Sequence, residues 1–210
     1  MKKFCKLISY IFQPLLMPTY GIALLMQTAV FAFLPVSFRL IAVIGTLLFT
    51  GILPALPIYL MMKKGQIRDL FISKREERTM PYMFSMLSYV FWMLFLWRTL
   101  GFPVEFVLLA AGSVLSVFIM IFINLRWKIS AHLAGAGGIF GGILGVSYIM
   151  AINPFWLILT FVIISGLVAI SRIYLKAHTL SQVIAGFLLG FVSVLLPVIL
   201  YNIFFTNQGY

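Results

Sequence analysis

Acidic side chains are almost absent from this sequence. Its 210 residues include four Asp and Glu against fifteen Lys and Arg, and charged residues make up only 9% of the chain. Soluble domains contain about 25% charged residues, so an ordinary soluble fold is excluded. The chain also has a single cysteine, Cys5, which excludes a disulfide bond within the chain.

The shortage of acids also restricts the chemistry. A protein cage for a divalent cation draws on several carboxylates in one place. Three of the four acids fall in the polar segment 63–80, and the fourth, Glu105, is predicted at the opposite face of the membrane. We therefore expect no metal and no other cofactor. The Asp-rich magnesium sites of intramembrane prenyltransferases have no counterpart in this chain.

Long apolar runs take the place of charge. Hydrophobic residues make up 63% of the chain, and its mean hydropathy is +1.15. A membrane span needs about 20 apolar residues, so the sequence predicts an all-α, polytopic membrane helix bundle with six or seven transmembrane helices. An interfacial helix before Pro14 leads to a first span at about 19–34, and later spans are predicted at 38–62, 81–97, 104–125, 130–151, 154–173 and 178–204.

The order of the spans places the polar segments relative to one another. The segments 63–80, 126–131 and 171–178 follow the second, fourth and sixth spans. Because successive spans alternate in direction, all three segments are predicted at the same face of the membrane. We divide the chain into an N-terminal part, 1–62, a helical core, 63–204, and a polar tail, 205–210.

The fifth predicted span is rich in glycine. It contains two pairs of glycines four positions apart, Gly138 with Gly142 and Gly141 with Gly145. This spacing lets helix backbones approach closely in a membrane. We expect this span at the centre of the bundle, against the seventh span with its Gly186 and Gly190.

The polar turn around His178 combines side chains that suit phosphate chemistry. Arg172 precedes His178 by six positions, and Gln182 follows it by four. A guanidinium fits phosphate oxygens, a neutral imidazole can attack phosphorus, and a helix N-terminus attracts anions. The Gln182 carbonyl lies one turn away and can fix the imidazole tautomer. The alternative is a turn in which Arg172 and Lys176 extend to the membrane interface.

Two further polar segments carry candidate residues. Ser130 is a natural N-cap for the fifth span, and it would place His132 in the first helical turn, with Lys128 as a nearby cation. In the segment 74–81, Lys74 and Arg78 are candidates for binding phosphate oxygens. The alternatives are an ordinary interfacial histidine and an ordinary basic loop.

The combination of these segments favours a phosphate site. The chain has only two histidines, both at the start of spans on the same predicted face, and each stands close to a basic residue. We know of no structural requirement that would produce this arrangement. A shared anion between the two imidazoles would explain it.

The three segments resemble the signatures of one family. Ser171-Arg172-x5-His178 resembles the third signature, SRxxxxxHxxxD, of the type 2 phosphatidic acid phosphatases, the PAP2 superfamily. Ser130-Ala131-His132 is similar to the SGH of the second signature, PSGH, and 74–81 is similar to the first, KxxxxxxRP. The resemblance covers about 63–204 and implies the helical core that this family shares with the vanadium haloperoxidases.

The resemblance implies a role for each matched residue. His178 would be the nucleophile that takes the phosphoryl group, and His132 would protonate the leaving oxygen. Arg172, Arg78 and Lys74 would bind phosphate oxygens, with help from Ser130.

The sequence departs from the family pattern at three points. Gln182 replaces the Asp of the third signature, in an H-T-x-x-Q form that resembles the dolichyl-diphosphatase-like branch. Ile129 and Ala131 replace the Pro and Gly of the second signature, and two residues separate Arg78 from Pro81. A neutral amide cannot stabilise an imidazolium as a carboxylate does, so we expect a lower rate unless other groups compensate.

The hypothesis is an integral membrane enzyme that hydrolyses a lipid phosphate or diphosphate through a phosphohistidine, without metal. A phospholipid or polyprenyl phosphate is the expected substrate. Nucleic acid is not an expected partner, because no extended basic surface remains outside the spans. The alternative is a non-catalytic membrane protein that binds or moves anionic lipids on the same scaffold, and the oligomeric state stays open.

The distribution of basic residues predicts the orientation. Thirteen of the fifteen Lys and Arg are predicted at the face that carries the site, and only Arg39 and Arg98 at the other. The positive-inside rule then favours a cytoplasmic site. The resemblance implies a bacterial inner membrane, where many relatives work on the outer leaflet instead.

Overall fold

The computed structural model describes residues 1–69 and 72–206, so residues 207–210 of the predicted polar tail lie outside the described residues. The α-helices are α1 (Lys2–Ile11), α2 (Met17–Leu25), α3 (Ala29–Ala32), α4 (Val36–Thr46), α5 (Leu53–Lys63), α6 (Thr79–Leu94), α7 (Val104–Arg126), α8 (Ala131–Met150), α9 (Phe155–Tyr174) and α10 (Leu180–Tyr201). Short 3-10 turns occur at Pro14–Leu16 and Glu76–Arg78, and π-helical stretches at Leu47–Ile52, Phe95–Thr99 and Asn202–Thr206.

Helices long and apolar enough to cross a membrane dominate the fold. Within the described ranges there are seven such segments: Lys2–Leu25, Val36–Lys63, Glu76–Thr99, Val104–Arg126, Ala131–Met150, Phe155–Tyr174 and Leu180–Phe205. The predicted all-α, polytopic membrane bundle is therefore confirmed. The last six segments begin and end within a few residues of their predicted positions.

The first membrane segment differs from the predicted one. A separate helix before Pro14, α1, is present as predicted. The apolar segment that follows it ends at Leu25, whereas the prediction was a span at about 19–34. The helix stops at Leu25 because Thr28 folds back on it. The Thr28 hydroxyl and N–H donate to the Leu25 carbonyl at 2.7 and 3.0 Å, and the chain then turns into α3.

The second span contains a π-helical stretch, Leu47–Ile52, directly before Pro54. A proline ring crowds the carbonyl of the preceding turn and removes one N–H, so a wider turn at this point relieves the crowding. The Phe49 carbonyl in this stretch accepts a hydrogen bond from Ser88 Oγ at 2.8 Å. A side chain of the neighbouring helix α6 thus provides a hydrogen-bond donor for a carbonyl of the irregular backbone.

The predicted packing of the fifth span against the seventh is confirmed. A Cβ on Gly190 of α10 would collide with the Ala134 carbonyl of α8, and one on Gly186 would collide with the Ser130 carbonyl. The two backbones therefore touch along this interface, as small residues allow.

The predicted glycine pairs are only partly in this interface: Gly141 lies in the close contact, whereas its predicted partner Gly145 faces side chains. A Cβ on Gly137 or Gly141 would collide with backbone atoms of α10, so this pair forms the close contact. Gly138 and Gly142 instead face the methyl groups of Val194, 3.5 and 4.0 Å from an added Cβ. Several overlapping glycine pairs have the same spacing, and only the position of α10 decides which pair lies in the contact.

The three polar segments meet at one end of the bundle, as the alternation of spans predicted. Arg78 Nη1 donates to the Ile129 carbonyl at 3.0 Å, and the Ser130 N–H donates to the Gln182 carbonyl at 3.3 Å. These bonds join the starts of α6, α8 and α10. They position the candidate site.

Candidate functional site

A cavity of about 570 Å³ opens where the polar segments meet. Its wall includes Arg78, His132, Arg172 and His178. All four residues are buried, with 4% to 6% of each exposed. The structure therefore brings together both histidines and two of the basic residues singled out in the sequence.

The end of α9 brings Arg172 close to His178. The Ala177 N–H donates to the Arg172 carbonyl at 3.0 Å, and the Lys176 N–H donates to the Ile173 carbonyl at 2.8 Å. Lys176 has a left-handed backbone, with φ of +54°. This is a Schellman motif, which reverses the chain after a helix. The His178 N–H also reaches the Arg172 carbonyl at 3.4 Å, so the six-residue spacing follows from this turn.

Gln182 sets the tautomer of His178. Its Oε1 atom lies 3.2 Å from the Thr179 N–H, which can only donate, and 3.1 Å from His178 Nδ1. Since Oε1 accepts, Nδ1 carries the ring proton, and Nε2 of the neutral imidazole keeps its lone pair. Thr179 and Gln182 also form a capping box that starts α10. One side chain, that of Gln182, thus both caps the start of α10 and orients the imidazole of His178.

Positive charge surrounds the His178 imidazole. Burial and then the nearby Arg78 and Arg172 lower the pKa of His178 to about 3, although the Gln182 hydrogen bond acts in the opposite direction. The ring is therefore neutral near pH 7. Partial burial, followed by the same two arginines, also lowers the pKa of Lys128. A cluster of cations that repel one another is stabilised by a bound anion.

A residue in the N-terminal part of the chain orients the side chain of His132. It lies in the first turn of α8, and its Nε2 atom is 3.1 Å from the Ser9 carbonyl of α1. A carbonyl only accepts, so Nε2 carries a proton. Sequence reasoning missed this contact with Ser9. No signal could have revealed it, because any residue type offers a main-chain carbonyl.

Ser130 occupies the N-cap position of α8, but the expected side-chain cap is absent. The residue is fully buried, and its Oγ has no hydrogen-bond partner among the residues that the structure describes. Contacts with α10 hold its backbone instead, since Gly186 packs on its carbonyl and its N–H bonds to Gln182. A buried hydroxyl without a partner is unusual and fits a site that awaits an anionic ligand.

Arg78 is anchored by two main-chain carbonyls. Its Nε donates to the Ile72 carbonyl at 2.8 Å, and its Nη1 donates to the Ile129 carbonyl at 3.0 Å. The short 3-10 turn before α6 directs the side chain inward. The guanidinium is therefore held in the cavity wall before any ligand arrives.

Lys74 has a different position from the expected one. It lies outside the set of described residues that line the cavity. Its Nζ is 3.9 Å from Glu77 Oε1, and 46% of its side chain is exposed. Lys74 precedes the turn that directs Arg78 inward, and Glu77 attracts it to the rim. Within the described part of the chain, no group of three or more His, Cys, Asp and Glu is arranged to hold a metal.

The fold and the site define a class of protein: a polytopic membrane helix bundle with two histidines and two arginines buried together at one end. The family model of the PAP2 superfamily matches residues 79–208, which is more than half of the chain. The chain therefore belongs to the PAP2 superfamily. Searches against curated proteins and against solved structures found no match. The matched region begins directly after Arg78, so the N-terminal part that carries Ser9 lies outside it.

Proposed function

We propose that this protein is a membrane phosphatase that hydrolyses a lipid phosphate or lipid diphosphate through a phosphohistidine intermediate. The observation that carries the proposal is the mixed character of the site cavity. One wall holds the buried histidines and arginines, and the other is apolar and includes the lipid-facing Ile52 and Leu56, which are 47% and 54% exposed. An anionic head group with a hydrocarbon body suits both walls.

The proposed reaction has two steps. In the first, His178 Nε2 attacks phosphorus and a P–N bond forms, while the bond to the leaving oxygen breaks and that oxygen takes the Nδ1 proton of a His132 imidazolium, whose Nε2–H stays on the Ser9 carbonyl. The negative charge of the bound phosphate favours this doubly protonated form of His132. In the second, water attacks the phosphohistidine, His132 takes its proton, and the P–N bond breaks to release phosphate. Arg78 and Arg172 bind the phosphate oxygens, and Ser130 donates its hydroxyl.

We place the chain in the H-T-x-x-Q branch that resembles dolichyl diphosphatases. The support is that Gln182 takes the sequence position of the family's Asp and contacts the Nδ1 atom of His178. A neutral partner still selects the tautomer in which Nε2 is free to attack. It stabilises the imidazolium less than a carboxylate does.

The test of this function is a phosphate-release screen with the purified protein in detergent, over lipid monophosphates and diphosphates. A labelled substrate and an alkaline quench, which preserves phosphohistidine, would detect the intermediate. We expect release of phosphate and a labelled histidine. Binding of these lipids without any release would favour the alternative, a non-catalytic protein that binds or moves anionic lipids.

Gln182 variants should change both the rate and its pH dependence. Gln182→Ala removes the contact with Nδ1, and we expect kcat to fall about tenfold, the effect of one lost hydrogen bond of about 1.4 kcal/mol. Gln182→Glu keeps the length and adds a negative charge beside the imidazole. It should raise the pKa of His178, so the acid limb of kcat/KM should move upward by about one pH unit or more.

The direction of the pH effect follows from the state of His178. The attacking ring must be neutral, and its pKa of about 3 keeps it neutral above that value. A carboxylate favours the protonated ring, so inactivation begins at higher pH. The pH profiles of wild type and both variants would be measured on one lipid phosphate. An acid limb that stays in place in Gln182→Glu would contradict the role of His178 as nucleophile.

We propose that the site faces the cytoplasm of a bacterial inner membrane. Lys64 lies at the end of α5 next to the site, and Arg98 lies at the far end of the following span; both are exposed. Lys64→Cys should react with an impermeant thiol reagent only in inverted membrane vesicles, and Arg98→Cys only in intact cells. The buried native Cys5 serves as the unreactive background. The reverse labelling pattern would place the site at the outer leaflet.

A further inference from the structure

The first helix, α1, packs against the site from outside the region that the family model matches. One of its faces is buried: Ile8 belongs to an apolar cluster with Leu133 of α8 and Val168 of α9. The next residue, Ser9, contacts Nε2 of His132 through its main-chain carbonyl. The position of α1 therefore determines whether the hydrogen-bond acceptor that orients His132 is in place.

The remaining surface of α1 has two exposed faces of different character. One is basic, and we call it the lysine face: Lys2, Lys3 and Lys6. The other is apolar, with side chains 50%, 55% and 42% exposed: Phe4, Leu7 and Ile11. Within each face the residues recur at spacings of three and four, as neighbours on one side of a helix do. A helix with a basic and an apolar face suits the boundary between lipid head groups and acyl chains.

The lysine face has no counter-charge within the described part of the chain. α1 contains no acidic residue, and none of the ion pairs among the described residues involves its lysines. Tyr10 follows Lys6 by four positions and lines the site cavity, so the lysine face lies on the side of α1 that borders this cavity. The buried Arg78 and Arg172 add further positive charge there.

The surface of a bilayer that contains anionic lipid is complementary to both faces of α1. Its head groups attract lysines, and its acyl chains cover the apolar side chains of the same helix. A free anion or an acidic protein would match the lysine face alone. Charge and hydrophobicity together therefore select a lipid surface as the partner.

We propose that the lysine face binds anionic phospholipid head groups of the surrounding bilayer, and that this binding holds α1 where Ser9 orients His132. Anionic phospholipid is then an activator that the reaction does not consume. The effect on turnover rests on the proposed phosphatase function, whereas the lipid binding does not. Because the attraction is electrostatic at an exposed surface, added salt should weaken it.

The lipid binding is tested in nanodiscs with a phosphatidylglycerol probe whose photoreactive group is in the head group, and with a matched phosphatidylcholine probe. We expect the anionic probe to label α1 about fivefold or more above the neutral probe. Replacing all three residues of the lysine face with Gln should abolish this preference, and replacing them with Arg should preserve it.

The matched control is one variant that combines Lys64→Gln, Arg68→Gln and Arg126→Gln. It removes the same amount of charge from exposed positions at the same end of the bundle, away from α1. We expect the control to keep the wild-type preference for the anionic probe on α1. Equal preferences in wild type and in the Gln variant of the lysine face would overturn the proposal.

The effect on His132 is tested by kcat in phosphatidylcholine nanodiscs with and without phosphatidylglycerol. We expect phosphatidylglycerol to raise wild-type kcat on a trace of hexadecyl phosphate about fivefold or more, as part of the roughly 10²- to 10⁴-fold that a general acid contributes. The burst of nitrophenol from nitrophenyl phosphate should change little, because this leaving group needs no proton. In the Gln variant of the lysine face, kcat on hexadecyl phosphate should stay low in both membranes.

The outcomes separate this proposal from the function on which it rests. A change in KM with equal kcat would show that the lysines only attract substrate, and it would overturn the link to His132. An equal effect of phosphatidylglycerol on both substrates would also overturn that link. If no substrate releases phosphate but labelling of α1 depends on its lysines, the lipid binding stands and the phosphatase function fails.

Discussion

Replacing His178 with alanine is expected to reduce phosphate release by about 10³-fold or more, because the variant has no atom that can take the phosphoryl group. The neutral Nε2 atom, held in position by Gln182, is the proposed nucleophile. No labelled histidine should be trapped in His178→Ala after an alkaline quench. The measurement is phosphate release and trapping on the lipid phosphate that wild type uses best.

His132→Ala is the matched comparison, since it removes the other imidazole of the same cavity. We expect it to lose about 10²- to 10⁴-fold on an alkyl phosphate, the range for a missing general acid. With nitrophenyl phosphate, whose leaving group needs no proton, His132→Ala should recover much of the lost rate of the first step. His178→Ala should be inactive with both substrates.

The leaving-group comparison therefore assigns the two roles separately. Rescue of His178→Ala by nitrophenyl phosphate, or turnover at the wild-type rate on any substrate, would remove His178 as nucleophile. Loss of activity in His132→Ala that does not depend on the leaving group would remove His132 as the acid. Equal thermal stability of the two variants and wild type would show that unfolding does not cause the losses.

Gly190→Ala is expected to destabilise the protein strongly, although alanine favours helix. The new Cβ would collide with the Ala134 carbonyl and approach the backbone nitrogen of Gly138 at 2.9 Å. Backbone atoms cannot move aside as a flexible side chain can, so α8 and α10 must separate. We expect a loss of about 3 kcal/mol, the upper end of the typical cost of overpacking, which lowers Tm by about 6 to 12 °C for a chain of this length.

Gly166→Ala provides the control for this prediction. It makes the same substitution in a neighbouring helix, where an added Cβ meets no described atom within 4 Å. The substitution should leave Tm unchanged or raise it slightly, because alanine is the better helix former by up to about 1 kcal/mol. Thermal unfolding in one detergent would compare the two variants. Equal Tm values would contradict the close contact between α8 and α10.

The same contact links stability to the site. Ser130 and Gln182, at the ends of the two helices, are joined by a main-chain hydrogen bond of 3.3 Å. Separation of α8 and α10 would move the segment that carries His132 away from the one that carries His178. Gly190→Ala should therefore lose activity at temperatures at which a fraction of the molecules is still folded.

Sequence reasoning predicted the helix bundle and the end of it that carries the site, because both depend on hydropathy and on the alternation of spans. Apolar runs of sufficient length must cross the membrane as helices, since lipid cannot satisfy backbone hydrogen bonds. The face that carries Arg78, His132, Arg172 and His178 follows from counting the spans between them. The local pairing of His178 with Gln182 was also accessible from their spacing of four residues. In the structure His178 precedes the N-cap Thr179, and Gln182 reaches it because its side chain turns back in the capping box.

Other features could not be predicted because they depend on distant parts of the chain. The Ser9 carbonyl that contacts His132 belongs to a helix 123 residues away in sequence. The exposed position of Lys74 depends on where the 3-10 turn before α6 begins. The hydroxyl of Ser130 makes no cap because α10, rather than the side chain, holds its backbone.

By itself, the sequence determined a membrane bundle with its two histidines, Arg78 and Arg172 at one end, because hydrophobic length and chain direction are local properties. Only the tertiary structure decided which glycines touch, which lysine stays at the rim, and which main-chain carbonyl orients His132. These depend on how helices far apart in sequence pack, and packing is set by the shapes of all the side chains together.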